Sequence, residues 1–488
     1  MTVRGLFSNA GAGLSSPVSV LGLMLLFVSP LIRGGNRHVA LILIEVLALA
    51  ILVLLVVQVL FSEEPRVQSD KAGGISETSL VIFLALVPLW IGALQLLPLP
   101  PTIWSSLPGR DVYVQALSAL NVWGSTWRPM SLAPDATWIS VLAGIPLAVA
   151  FLMAYFVSGP HLTALLRAVI LFAFFQALLG LMQVSLFREL YFGAPAYGRA
   201  IGTFANPNHL ASYIAMAMPL TILALRQALR SLESRKRRRS RKLGIKSLVG
   251  KSGGGPLVAT MWGVVLLVQF AGLVATQSRG GIASAVLVAF AAVLFLPGTG
   301  VTRRTRWRLL AGALAFTILV MTAVGIEGLV SRMTDSVGDA SRWEMMKGTW
   351  HAALAFFPFG SGLGTFSGVF PRFQSEAFVG YASHAHNDYL QLLMEAGIFF
   401  VVAFGVSLWL ALRRISILFE RLQADPSDQD VLTVASCGLG LLAVFLHSWV
   451  DFNLRIPANA MLAVFLLGVL LRPLPRLRPV DAKGQMEV

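Results

Sequence analysis

The chain contains few charged residues for its length. Of its 488 residues only 12% are Asp, Glu, Lys or Arg, whereas 56% are hydrophobic. Soluble globular proteins carry about 25% charged residues, so this composition excludes an ordinary soluble enzyme of two or three domains. The charge that is present is unbalanced, because there are 38 basic and 23 acidic side chains and the net charge is +15.

Cysteine is almost absent as well. Cys437 is the only one and lies in an apolar run, so a disulfide bond within the chain is excluded and cysteine usage does not identify the redox compartment. Residues 1–16 carry a single charge, Arg4, and no small-residue cleavage site follows the apolar stretch after them. We therefore expect that stretch to be a first membrane span and not a removed signal peptide.

Long apolar runs are abundant instead. Leu41–Phe61, Leu80–Leu96, Leu257–Ala275 and Leu432–Val450 approach or exceed the roughly 20 residues that a helix needs to cross a hydrocarbon core. Backbone polar groups in lipid must bond within their own segment, and the alternation of a β-barrel is missing. The sequence therefore predicts an all-α, polytopic membrane bundle of about twelve spans. They lie near 17–33, 38–61, 77–99, 136–158, 161–186, 208–225, 257–276, 281–297, 309–326, 386–410, 432–450 and 455–473.

Basic loops predict how these spans are oriented. Eleven basic residues and one acid lie between Arg226 and Lys251, and further arginines cluster at 303–308 and 413–414. Such clusters stay on the cytoplasmic side, so we expect both termini there, although Arg33 and Arg37 then depart from the rule. No folded module surrounds the clusters, so no nucleic-acid partner is expected. The external segments would be Pro100–Thr137, Leu186–His209, Gln277–Gly281, Glu327–Ala385 and Asp451–Asn453.

An arginine lies in the joint between two of these spans. Arg279 follows Thr276-Gln277-Ser278 and precedes two glycines. It could be an interfacial arginine that extends its charge to water. It could equally be an anion site, because a guanidinium matches pairs of phosphate oxygens and stays charged.

A histidine begins the predicted span 386–410. On a helix the four residues His386, Leu390, Leu393 and Gly397 would share one face. A histidine here could be a structural cap, or it could transfer protons at neutral pH. A metal at His384 and His386 is not expected, because no Cys or Glu accompanies them at ligand spacing.

A third motif runs from Arg199 to His209. Asn206-Pro207 is a turn signal, and Asn208 could cap the span that follows. The motif can be a simple loop-to-helix junction. Alternatively, Arg199 and the amides could bind sugar hydroxyls or phosphate.

Two more segments carry polar residues on the predicted external side. Residues 341–357, which include Arg342, are expected to form an amphipathic helix that leads to the Gly-x-Gly-x-Gly run 360–364. That run is not a nucleotide fingerprint, because no strand precedes it. His447–Asn453 closes the second-last span. Asp428-Gln429-Asp430 is interpreted as a solvated cytoplasmic turn and not as a metal-binding motif.

The order of these motifs is specific. It is Arg-x-x-Gly-Thr-Phe-x-Asn-Pro-Asn-His at 199–209, Thr-x-Ser-Arg-Gly-Gly at 276–281, Phe-Gly-Ser-Gly-Leu-Gly-Thr-Phe at 359–366 and His-Asn-Asp-Tyr-Leu-Gln at 386–391. Over about 199–460 the chain resembles the O-antigen ligase and O-antigen polymerase superfamily. Ligases carry His-Asn, nine residues and then Gly-x-x-Gly. Here Gly397 is present but Phe400 replaces the second glycine, which leaves ligase and polymerase both open.

The resemblance implies a GT-C-like bundle in the inner membrane with a long periplasmic loop. It divides the chain into N-terminal spans 1–198, a ligase- or polymerase-like domain 199–475 with the loop 327–385, and a cytoplasmic tail 476–488. The expected partners are membrane lipids, an undecaprenyl-diphosphate-linked glycan as donor, and lipid A-core or a second lipid-linked glycan as acceptor. A protein acceptor is a third branch. No cofactor and no metal are expected.

The resemblance also implies roles for single residues in an inverting displacement. His386 would act as the base toward the acceptor hydroxyl, with His209 or Asp451 as the alternatives. Arg279 and Arg342 would stabilise the leaving diphosphate. The residues expected to bind substrate are Arg342, Arg199, Asn206, Asn208, His209 and Asn387.

Two other classes would share this composition. A transporter or flippase of lipid-linked glycan should show inverted repeats with helices broken at mid-membrane, and no such repeat is visible. A purely structural scaffold would not need His and Arg gathered at span ends on one side.

Overall fold

The computed structural model describes residues 17–61, 77–124, 126–157, 159–185, 198–241, 254–295, 336–376 and 380–474. The predicted span 309–326 lies outside the described residues. Within them the chain is helical apart from loops and one two-residue ladder, Pro98–Leu99 with Arg128–Pro129. The prediction of an all-α membrane protein is therefore confirmed.

The first helices correspond to the N-terminal apolar runs. They are α1 (Pro17–Leu31), α2 (His38–Phe61), α3 (Glu77–Ala85), α4 (Val87–Gln95), α5 (Pro101–Ser106), α6 (Asp111–Ala119), α7 (Pro134–Phe156) and α8 (Gly159–Ser185). The sequence predicts one span over 77–99, but α3 and α4 meet at 56°. Pro88 lies in the first turn of α4 and has no N–H to continue α3, which explains the break.

The remaining helices carry most of the motifs. They are α9 (Pro207–Arg241), α10 (Gly254–Ala275), α11 (Arg279–Phe295), α12 (Ser336–Phe356), α13 (Phe366–Val369), α14 (Asp388–Ala424), α15 (Gln429–His447) and α16 (Pro457–Leu471). In the described ranges seven helices are long and apolar enough to cross a membrane, and the α3–α4 pair makes an eighth. Three shorter apolar helices include α1 and α16. The total of twelve spans and the GT-C class stay predictions.

Small residues bring the helices close together. A Cβ on Gly272 of α10 would lie 2.6 Å from the Cβ of Ala177 on α8, and Gly468 of α16 meets the backbone of Phe151 on α7. Glycine and alanine allow membrane helices to approach until their backbones pack. The main apolar core lies among α8, α9, α10, α11, α15 and α16.

Helix α14 is broken at Gly397, which has φ 54° and ψ −130°. The carbonyls of Met394 and Glu395 are released from the helix and accept hydrogen bonds from the N–H groups of Ser361 (2.9 Å) and Gly362 (3.0 Å). A Cβ at Gly397 would lie 2.8 Å from the carbonyl carbon of Pro358, so only glycine allows this approach. The glycine-rich run 360–364 therefore packs into the break.

The predicted external segments pack against one another. The N–H of Leu132 donates to Ser361 O at 2.9 Å, and Gln95 Nε2 donates to Glu395 O at 2.8 Å. At the other end Gln227 bonds Gln429 at 2.8 Å, which joins the basic end of α9 to the start of α15. This grouping agrees with the predicted orientation, which stays a prediction.

Candidate active site

Arg199 ties two motifs together. Its Nε donates to the carbonyl of Thr276 at 2.9 Å, and a terminal nitrogen lies 3.3 Å from Asn208 Oδ1 and 3.4 Å from the carbonyl of Gln277. Gln277 has φ 53°, a strained value for a residue with a Cβ. In this structure Arg199 thus holds the joint before Arg279 in place.

Asn206, and not Asn208, caps helix α9. The backbone N–H of Asn208 donates to Asn206 Oδ1 at 2.9 Å, so the expectation that Asn208 is the cap was wrong. The reason is Pro207, which occupies the first helical position and leaves the residue before it as the cap. The side chain of Asn208 is thereby available for a different contact, a 2.5 Å hydrogen bond from Nδ2 to Asp451 Oδ2.

His386 precedes helix α14 and does not lie on it. Its φ is 50°, and the helix begins at Asp388 with Asn387 as the N-cap. The expected shared face with Leu390 therefore does not exist for His386, because the left-handed backbone turns it out of the helix. Asn387 Oδ1 accepts from the N–H groups of Tyr389 and Leu390 at 3.0 Å, and its Nδ2 donates to Trp449 O at 3.0 Å.

His386 forms a pair with a buried carboxylate. Its Nδ1 lies 3.1 Å from Oδ1 of Asp451, which also accepts the N–H of Phe452 at 2.9 Å. The His386 side chain is 25% exposed and that of Asp451 is 1% exposed. Burial alone would raise the pKa of Asp451, but the hydrogen bond with His386 and the nearby histidines hold it well below its usual range. The carboxylate is therefore ionised at neutral pH.

Three histidine rings surround Phe452. Ring centroids lie 4.8 Å away for His209, 4.4 Å for His384 and 4.8 Å for His386. Burial, assisted by the charge of Arg455, lowers the pKa of His384 to about 4, so it is neutral at neutral pH. His209 is 3% exposed, and its Nε2 has no hydrogen-bond partner in the part of the chain that the structure describes.

The backbone of Arg279 lies beside another histidine. Arg279 is the first residue of α11, and a Cβ on the next residue, Gly280, would lie 2.9 Å from Nε2 of His447. Nδ1 of His447 is 2.6 Å from the hydroxyl of Ser212. Arg342, on α12, is close enough to act on His447 electrostatically. The structure thus brings the motifs of Arg279 and Arg342 to the same histidine.

Sequence reasoning missed the partners of the predicted residues. Asp451 was expected only as an alternative base and not as the partner of His386. His447 was not among the expected site residues, nor was the 2.8 Å ion pair between Arg455 and the fully buried Glu395. The motif 447–453 was the available signal for the first two, because it ends a span on the predicted external side. Nothing in the sequence indicates that Glu395 faces Arg455, since 59 residues separate them.

Two sequence motifs contain potential metal ligands, His384 with His386 and Asp428 with Asp430. Within the described ranges no group of three or more His, Cys, Asp or Glu has a geometry suited to a metal ion. The Asp428–Asp430 motif starts α15, where Asp428 Oδ1 accepts the N–H groups of Asp430 (2.9 Å) and Val431 (3.1 Å). That carboxylate is a helix cap.

Comparison with known protein families matches part of the chain. No curated protein matches the chain. The family model described as O-antigen ligase matches residues 263–405, which contain Arg279, Arg342 and His386. Residues 263–405 are thus similar to O-antigen ligases, which supports the resemblance to the superfamily of O-antigen ligases and polymerases that the motifs indicate.

Proposed function

We propose that the protein is a membrane glycosyltransferase that moves a glycan from undecaprenyl diphosphate to an acceptor hydroxyl at the periplasmic face. The observation that carries this proposal is the pairing of His386 with the buried Asp451. His386 and Arg279 both lie inside the region that matches O-antigen ligases. A role in surface polysaccharide assembly follows from the family itself.

Asp451 fixes the tautomer of His386. An ionised carboxylate can only accept, so Nδ1 carries the proton and Nε2 keeps its lone pair. Nε2 removes the proton from the acceptor hydroxyl as the oxygen attacks the anomeric carbon. The bond from that carbon to the diphosphate oxygen breaks with its electron pair, and undecaprenyl diphosphate leaves. One displacement inverts the anomeric configuration.

Arginines supply the charge for the leaving group. The diphosphate gains negative charge as its bond to the sugar breaks, and preorganised cations stabilise that state most when water is excluded. Arg279 and Arg342 are both half-buried. Gly280, the residue after Arg279, packs on His447, and the charge of Arg342 acts on the same histidine. Their fixed charge and paired donors match phosphate oxygens, so the reaction is expected without a metal ion.

The other expected substrate ligands have more limited roles. Arg199, Asn206 and Asn387 bond the backbone, and Asn208 bonds Asp451, so we propose that they act by positioning. Among the histidines that the structure describes, His209 has a buried ring nitrogen without a hydrogen-bond partner, and we propose it as a direct contact to the sugar.

The test is transfer by the purified protein in lipid nanodiscs, with excess chelator and a synthetic undecaprenyl-diphosphate oligosaccharide. Product with an inverted linkage and free undecaprenyl diphosphate are expected. Movement of intact donor across vesicles without bond cleavage would instead identify a flippase. Activity that requires a divalent cation would contradict the arginine mechanism.

Gene deletion separates the two family branches. Loss of all glycan on the final acceptor identifies a ligase, whereas products that carry a single repeat identify a polymerase. A surface glycan that is unchanged would count against both.

A further inference from the structure

A groove lies between α2, α7 and α16, at the end of the bundle that carries His386. Its empty space is about 410 Å³ when the open space at its mouth is included. Its walls are apolar except for Glu45 on α2 and Arg455 just before α16. Both α2 and α7 are long and apolar enough to span a membrane. Next to the groove Ile42 is 57% exposed and Leu142 is 44% exposed. The groove therefore lies at a lipid-facing surface.

Arg455 connects this groove to the histidines. One of its nitrogens is 2.8 Å from Glu395, which is fully buried. Its charge also acts on His384, and that ring stacks on Phe452 at 4.4 Å. Phe452 in turn contacts His386. One end of the groove is therefore next to the His386–Asp451 pair.

Cations occupy two separate positions around this pair. Arg342 acts on His447, and Arg279 immediately precedes the glycine that packs on His447, whereas Arg455 acts on His384. Transfer between two lipid-anchored molecules brings two phosphate-bearing lipids to one histidine. Their charges repel, so each phosphate needs a cation of its own. Two separate positions, one near His447 and one near His384, satisfy this requirement.

We propose that the groove receives the hydrocarbon chain of the phosphorylated acceptor lipid and that Arg455 binds its phosphate. The identification of this lipid as the acceptor rests on the proposed transferase function, whereas the lipid-binding site itself does not. The apolar walls, among them Leu41, Ile44, Ala143 and Met461, match a hydrocarbon chain that enters from the bilayer. Arg455 has five donors, and Glu395 engages one nitrogen, which leaves others for phosphate. Glu45 cannot bind phosphate, so the headgroup belongs at Arg455.

The test is photolabelling of the full-length protein in nanodiscs with diazirine-tagged farnesyl phosphate, mapped by peptide mass spectrometry. Label is expected on α2, α7 or α16, and undecaprenyl phosphate should displace it. Tagged farnesol, which lacks the phosphate, should label at least tenfold less. Equal labelling by the two probes, or displacement by inorganic phosphate as effective as that by undecaprenyl phosphate, would overturn the proposal.

Two neighbouring residues of α7 provide a matched pair of variants. Ala143 lines the groove, whereas Leu142 faces outward. Ala143→Trp should fill the groove and lower labelling at least tenfold, and Leu142→Trp should change it less than twofold. If both variants label like the unchanged protein, the groove is not the binding site.

A double variant tests whether the charge of Arg455 binds the phosphate. Arg455→Gln alone would leave Glu395 uncompensated, so it is combined with Glu395→Gln. The double variant should label with farnesyl phosphate no better than with farnesol. Persistent selection of the phosphate would contradict the assignment of Arg455.

The labelling experiments do not require glycan transfer, so they test the lipid site independently of the transferase proposal. If labelling follows the groove but no glycan moves, the transferase proposal fails and the lipid site stands. If transfer occurs, Ala143→Trp should raise KM for the acceptor at least tenfold and leave KM for the donor unchanged. A rise in donor KM alone would show that the groove serves the other lipid.

Discussion

Two regions at the same end of the molecule bury charge in different ways. In residues 98–132, Arg110 is 1% exposed and lies over the rings of Trp104 (5.2 Å) and Phe356 (5.8 Å). In residues 384–455, histidines and carboxylates from different segments face one another, and His386 stays 25% exposed. A charged side chain that is fully enclosed, such as Arg110, has no access to substrate and stabilises the fold. A partly exposed side chain that pairs with a charge from another segment, such as His386, can take part in catalysis.

The Arg110 region shows what structural burial looks like. One nitrogen of Arg110 donates to Met130 O at 2.5 Å, and Nε and Nη1 have no hydrogen-bond partner among the described residues. Burial lowers the pKa of Arg110 to about 10, so it remains charged at neutral pH. The following predictions use this contrast, from the largest expected effect to the smallest.

The largest effect is expected at His386. His386→Ala should lower kcat by roughly 10²–10⁴, the usual cost of losing a general base, while donor binding is retained. Transfer rates and donor Kd in nanodiscs measure both. His351→Ala, an exposed histidine on α12, is the matched control and should leave kcat unchanged. Near-normal turnover of folded His386→Ala would reduce His386 to a structural residue.

Arg279→Lys is expected to cause the second-largest loss of kcat. Lysine keeps the charge but not the planar pair of donors, so transition-state stabilisation should fall and kcat should drop by about 10²–10³. Chain release from the labelled donor measures this step. An equally active lysine variant would show that only a positive point charge is needed at Arg279.

Asp451→Asn tests the orientation of His386 with almost no change in volume. The amide no longer selects the Nδ1–H tautomer, so kcat should fall by about 10²-fold or more with little change in KM. The tautomer can be read from ¹⁵N chemical shifts of labelled histidine. A variant that keeps both the rate and the tautomer would show that Asp451 only packs the loop.

Acid should destabilise the histidine cluster. The folded-state pKa of His384 is about 4, below its ordinary value near 6.5, so the unfolded chain binds the extra proton first. His384 therefore contributes stability that is fully present above pH 6.5 and is lost as pH falls toward 4, at most about 3 kcal/mol. Tm measured against pH should show this slope, and His384→Gln should flatten it. An unchanged slope would assign the acid sensitivity to other groups.

The smallest effect is expected at Arg110, and it should appear in stability alone. Arg110→Lys keeps the charge but loses the planar stacking on Trp104, which costs about 1 kcal/mol. Tm should fall slightly, while kcat and KM stay unchanged. A selective loss of kcat would contradict the contrast between the two regions.

The sequence by itself determined the elements. Apolar runs longer than a membrane is thick can only form helices, so the spans at 38–61, 257–276 and 432–450 were predicted to within a few residues and appear as α2, α10 and α15. The ordered motifs also indicated a resemblance to O-antigen ligases and polymerases, which the match of residues 263–405 supports, because these motifs are local patterns of sequence. The motif containing His447 was visible for the same reason.

Only the tertiary structure decided the pairings. The break at Gly397 depends on close packing of Pro358, and the left-handed backbone of His386 removes it from the helix that its sequence suggests. Asp451 meets His386 across 65 residues, a contact that no periodicity encodes. Local patterns specify which residues form a helix, because helical hydrogen bonds join backbone groups that are close in sequence. The partner of a buried charge is set by packing between distant segments, and that packing became visible only in the folded chain.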